Sequence, residues 1–125
     1  FSIPALATEL TNLQSEIARS AANLALPDTD IGRLSLILEE LFLNTVTHGL
    51  KGAEGSTVRI ALGRDADGTH LRYSDAAPPF DLAAQPCPTA ESVDIGGLGV
   101  TLIHGMCRRI DASYVDGRNV YELLI

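Results

Sequence analysis

Basic residues are scarce in this chain: nine lysines and arginines stand against sixteen aspartates and glutamates, a net charge of −7 over 125 residues. A nucleic-acid backbone or an anionic membrane would be repelled by that balance, so neither is expected as the main partner. A nucleotide is not excluded, because backbone amides bind phosphate in acidic proteins too. Long apolar runs are also missing; none approaches the ~18 residues of a membrane span, and no signal-peptide pattern opens the sequence as given. Cysteine is limited to Cys87 and Cys107, without CxxC spacing. A reduced, cytoplasmic setting is therefore expected, with both thiols as ordinary small side chains. What remains is a composition of 46% hydrophobic and 20% charged residues, ordinary for a globular chain of a length that suits one core. The expectation is a single domain over residues 1–125.

Hydrophobic periodicity divides the chain. Phe1 to Ile3 reads as the end of an edge strand. From Pro4, Leu6, Leu10, Leu13, Ile17, Ala21 and Leu24 recur at steps of three and four and predict a first helix. "LPDTD" (26–30) breaks it. A second helix is expected from about Ile31 to His48, stopped by Gly49. Its apolar residues spread beyond one stripe, which predicts cover on more than one side. "KGAEG" (51–55) is a loop. "STVRIALGR" (56–64) alternates like a half-buried strand, "DADG" turns, and "THLRYSD" (69–75) returns. Residues 76–97 hold four prolines and two glycines and no period. Helical spacing resumes over 98–110, and two strands, "DASYV" and "NVYELLI", close the chain around "DGR" (116–118). Helices on one face of a mainly antiparallel sheet are the natural packing of this order, a two-layer α+β sandwich.

Three stretches carry polar groups where a packed domain would not ordinarily put them. In "EELFLNTVTHG" (39–49), Glu40 and Asn44 are four apart and share one side of a helix. A carboxylate there can take a proton from a hydroxyl or orient a water, and an amide oxygen can ligate a hard cation such as Mg²⁺. The same spacing describes a solvated surface stripe, and His48, near the helix end, also fits a dipole partner. In "YSDAAPPFD" (73–81), Asp75 ends a strand before Pro78 and Pro79. Such an aspartate is either part of a turn or an acceptor for an exocyclic amine such as adenine N6, which guanine's O6 cannot replace. In "DIGGLGVTLI" (94–103), three glycines in four positions precede a helix, allow close backbone approach and aim N–H groups at an anion. The cluster is neither a P-loop nor a dinucleotide fingerprint.

Taken in order, helical ExxxN, an antiparallel pair ending in Asp75, a Pro/Gly-rich lid and a glycine turn into a helix resemble the Bergerat ATP-binding fold of gyrase-type ATPases, heat-shock chaperones and sensor histidine kinases. Within that histidine-kinase-like ATPase superfamily, "EELFLNTVTHG", "SDAAPPFD" and "GGLGVTLIHGMCRRI" are most similar to the anti-sigma factor serine/threonine kinases of bacteria, over nearly the whole chain. The resemblance implies a mixed, mainly antiparallel sheet, with ATP and Mg²⁺ as cofactors. It makes Glu40 the general base and Asn44 the Mg²⁺ ligand. Asp75 would accept from the adenine amine, with His48 and Ala77 also in the nucleotide site. Pro78, Pro79 and Phe80 would form a rigid base for the lid (82–96), a segment without Lys or Arg. Gly96, Gly97, Leu98, Gly99, Val100 and Thr101 would receive the phosphates.

The family usually carries glycine where this chain has Ala77, whose Cβ would crowd the adenine edge or force a different backbone angle. The partners implied are a sigma factor and an anti-sigma factor antagonist, phosphorylated on a serine or threonine, and a second copy of the chain in a homodimer. Two alternatives stay open: a non-catalytic nucleotide-binding interaction module, and the ATP-binding domain of a histidine kinase. Retained binding without phosphoryl transfer separates the module from the kinase.

Overall fold

The computed structural model describes residues 1–49, 55–84 and 97–125, with backbone alone at 48, 49, 97 and 98. Strand β1 (Ser2–Pro4) comes first. A 3₁₀ turn (Ala7–Glu9) leads into helix α1 (Leu10–Asn23), and helix α2 (Asp28–Asn44) continues into a π-helical turn (Thr45–Gly49). Strands β2 (Thr57–Asp65) and β3 (Gly68–Asp75) form a hairpin. Helix α3 (Gly97–Met106) precedes the hairpin of β4 (Arg109–Val115) and β5 (Arg118–Leu124).

The strands form one sheet in the order β1-β2-β3-β5-β4. The sheet expected to be mainly antiparallel is antiparallel in every described pairing. Alternation sets its faces. Val58, Ile60, Leu71, Tyr73, Tyr121 and Leu123 point to the core; Arg59, Arg72 and Glu122 lie on the other face. Over the core face lie Leu13, Ile17 and Ala21 of α1, Leu34, Ile37, Leu38, Leu41 and Phe42 of α2, and Ile103 of α3. Each fully buried large apolar side chain among these contributes roughly 1.5–3 kcal/mol. Helix α2 packs against both α1 and α3, the cover that its wide apolar surface predicted, although Leu36 stays 49% exposed. No described helix is long and apolar enough to cross a membrane.

Several boundaries differ from the sequence expectation. Pro4 belongs to β1, opposite Thr57, and α1 starts only at Leu10. Helix α2 starts three residues early, at Asp28, where Asp28 and Asp30 lie in its first turn beside the positive helix end. Helix α3 stops at Met106, short of the expected 110, because Arg109 and Ile110 pair with Leu124 and Leu123 of β5. The turn between β4 and β5 has positive φ at Asp116 (53°) and Gly117 (76°), as a two-residue hairpin turn requires.

Candidate functional site

The C-terminal turns of α2 bring the first polar constellation together. Glu40 and Asn44 are both half-buried on the helix side that α3 approaches. A Cβ built on Gly99 would clash with Glu40 Oε2 and lie 3.3 Å from its Cδ and 3.8 Å from Asn44 Nδ2. The first turn of α3 therefore rests directly on the Glu40–Asn44 pair, an approach that any side chain at position 99 would obstruct.

One residue beyond Asn44, the same helix reaches the second constellation. Thr45 Oγ1 donates to Asp75 Oδ2 at 2.8 Å and lies 2.6 Å from Tyr73 Oη. Leu41 O is within 2.9 Å of Thr45 Oγ1 and 3.1 Å of Tyr73 Oη. Thr45 carries a single proton. With that proton on Asp75, the tyrosine hydroxyl supplies the donor for Leu41 O or for Thr45 itself. Burial holds the Tyr73 phenol well above its usual pKa, so it remains a donor at neutral pH. Asp75, 3% exposed, accepts two further hydrogen bonds on Oδ1: from Asn119 Nδ2 at 2.9 Å and from the Ala77 backbone N–H at 3.2 Å. Asn119 sits opposite Asp75 in the β3–β5 register.

The segment after β3 is tied down at both described ends. Asn119 Nδ2 also donates to Ala77 O (3.2 Å) and Pro78 O (3.0 Å), and its Oδ1 accepts from Phe80 N (2.9 Å). Leu82 is buried in the core, and its carbonyl accepts from His104 Nε2 of α3 at 2.7 Å. Ala77 is buried and is not among the residues with positive φ.

Glu40 and Asn44 meet Gly99, Asp75 meets Ala77, and Thr45, next to Asn44, ties the second group to the same helix. Pro79 and Phe80 line the exposed rim of the loop, Phe80 at 53% exposure. Val100 and Thr101 are half-buried on α3, Val100 packed against the core, and Gly97 is the first residue of that helix. His48 lies in the π-helical turn. The side chains of His48 and Leu98, Gly96, Cys87 and the lid from 85 to 96 lie outside the described residues. Sequence reasoning missed Thr45, Tyr73, Asn119 and His104. Thr45 had one signal, a hydroxyl directly after Asn44 on an apolar helix; Asn119, a polar residue at a core-facing strand position, had another.

Helices over one face of an antiparallel sheet, with a glycine-led helix set against a carboxylate–amide pair and a buried aspartate at a strand end, define a Bergerat-type ATP-binding domain. The sequence matches the histidine kinase-like ATPase domain over residues 3–124, and the chain belongs to that family, whose membership implies ATP binding. It is also similar to the serine-protein kinase RsbW of Listeria innocua serovar 6a, 28% identical over 95 residues. That stretch covers 70% of this chain and 60% of the relative. The chain thus spans less than two thirds of the curated relative's length.

Proposed function

We propose that residues 1–125 form one cytoplasmic, ATP-dependent serine/threonine kinase domain of the anti-sigma type. It acts on a hydroxyl of an antagonist protein and holds a sigma factor, as a homodimer. Family membership and the likeness to a serine-protein kinase support this reading. The observation that carries it is that one helix end serves both constellations: Glu40 and Asn44 lie against Gly99, while Thr45 holds Asp75.

The residues present fit a nucleotide. The close approach at Gly99 leaves space beside the Glu40 carboxylate that a Cβ would take by displacing it. Asp75 receives two donors on Oδ1 and one on Oδ2, so one lone-pair direction on Oδ2 is left for an exocyclic amine. Bound Mg²⁺–ATP would supply the phosphoryl group. Asn44 would give its side-chain oxygen to Mg²⁺, which typically takes only one or two protein ligands and completes its shell with phosphate and water. The first N–H groups of α3 have no partner within the helix and sit at its positive end, suited to anionic oxygens. Glu40 would accept the proton of the attacking hydroxyl, a role worth about 10²–10⁴-fold in rate.

The test is ATP titration with and without Mg²⁺, then transfer of labelled γ-phosphate to a candidate antagonist. Glu40→Ala is expected to bind ATP but to lose about a hundredfold or more in transfer. Undiminished transfer in that variant removes the base role. A second reading, a non-catalytic module with nucleotide as a regulatory ligand, draws on the buried methyl of Ala77 beside Asp75. Tight ATP binding by the wild type with no transfer to any serine-bearing partner would favour it.

A further inference from the structure

Asn119 is nearly inaccessible to solvent, and every polar atom of its side chain is engaged. Its Nδ2 faces Asp75 Oδ1 (2.9 Å), Pro78 O (3.0 Å) and Ala77 O (3.2 Å), three acceptors; its Oδ1 faces the Phe80 N–H (2.9 Å), a donor. The amide has one workable orientation, because a flip would set oxygen against the Asp75 carboxylate and NH₂ against an N–H. Asp75 is therefore gripped from two sides. Asn119 fills Oδ1 from β5, and Thr45 takes one position on Oδ2 from α2. Without Asn119, Oδ1 would keep only the longer bond from Ala77 N–H, at 3.2 Å. Nothing would then favour Oδ2 over Oδ1 as the free acceptor.

We infer that Asn119 is a positioning residue for base selection: it fixes which oxygen of Asp75 is offered to the purine, and so sets the preference for a 6-amino over a 6-oxo base. This rests on the proposed role of Asp75 as acceptor for the exocyclic amine. The same amide sets the path of residues 77–80, so base selection and the course of the chain leaving β3 depend on one side chain.

The probes are ATP and inosine triphosphate, which differ at position 6 of the base. Wild-type protein is expected to bind ATP more tightly on the order of 10- to 100-fold, the scale of one hydrogen bond to a charged group. Asn119→Ala should lose ATP affinity while its affinity for inosine triphosphate holds, so that the ratio collapses to within about threefold of unity. Asn119→Leu fills a similar volume and has no donor for Asp75. It should give the same collapse, and it decides the matter by itself if the alanine variant does not fold. Equal weakening of both nucleotides would reveal a role in folding alone and overturn the inference, as would an unchanged ratio. Equal affinities in the wild type would overturn the Asp75 reading itself, a result distinct from either.

Discussion

A methyl group on Gly99 would meet Glu40 Oε2 before it met anything else. That oxygen ends a flexible side chain, so Gly99→Ala is expected to push the carboxylate aside at little cost to the fold. The melting temperature should stay within about 3 °C of wild type, a shift worth less than about 1 kcal/mol in a domain of this size, while phosphoryl transfer falls tenfold or more because the base is displaced. Circular dichroism melts beside transfer rates check it; equal loss of both would assign Gly99 to packing. Glu40, Asn44 and Asp75 were legible in the sequence because charged and amide groups among apolar neighbours need a reason to be there. Thr45 and Asn119 were not. Each showed in the sequence only as a polar residue in an apolar setting, and the bonds to Asp75 that give it a role span 30 and 44 positions of sequence. Only the fold reveals that pairing.

Helix ends show a similar division. The end of α1 is closed by bonds from Leu26 N to Ala21 O and from Ala25 N to Ala22 O, both 3.1 Å, the Schellman arrangement. It requires a left-handed residue, and Ala25 takes that place with φ of 50°. A Cβ is unfavourable there by about 1 kcal/mol or more. Ala25→Gly is therefore expected to stabilise the protein by about 0.5–1 kcal/mol after the extra chain entropy of glycine is deducted. Urea unfolding measures this, and a loss of stability would show that the turn tolerates alanine without strain. No glycine marked this helix end in the sequence, whereas the apolar period of α1 gave its body clearly. The end of α3 was obscured for another reason. Ile110 keeps the helical apolar spacing, yet its pairing with Leu123 places it in the sheet, and the bond from Arg108 N to Leu124 O at 2.7 Å starts that pairing before the period breaks.

At the scale of the molecule, the two-layer arrangement was readable from element order, but the strand order was not. β1 joins the edge beyond β2, and β3 pairs with β5 across α3; both contacts are distant in sequence. The layered core also predicts how stability responds to alkali. Burial raises the pKa of Tyr73 and Tyr121 above the usual tyrosine value, and that of Cys107 to about 11. In each case the folded chain keeps a proton that the unfolded chain releases. Stability from these groups is complete below their unfolded pKa values, about 8.5 for the thiol and about 10 for the phenols, and is lost as pH rises through the folded values. Urea midpoints should therefore hold steady up to about pH 8 and fall progressively above about pH 9. A profile that stays flat to pH 11 would contradict the burial of these groups.

Tyr73 and Tyr121 stack across the β3–β5 seam with ring centroids 6.1 Å apart and planes within 7°. Those two strands join the hairpins β2–β3 and β4–β5, each of which pairs locally. Since tryptophan is absent, no brighter chromophore masks these rings. The near-ultraviolet signal of the protein is thus weighted toward one place, the line where its two halves meet. Docking of the halves during refolding can be followed there without a label, with the half-exposed Tyr114 of β4 as the one tyrosine away from the seam.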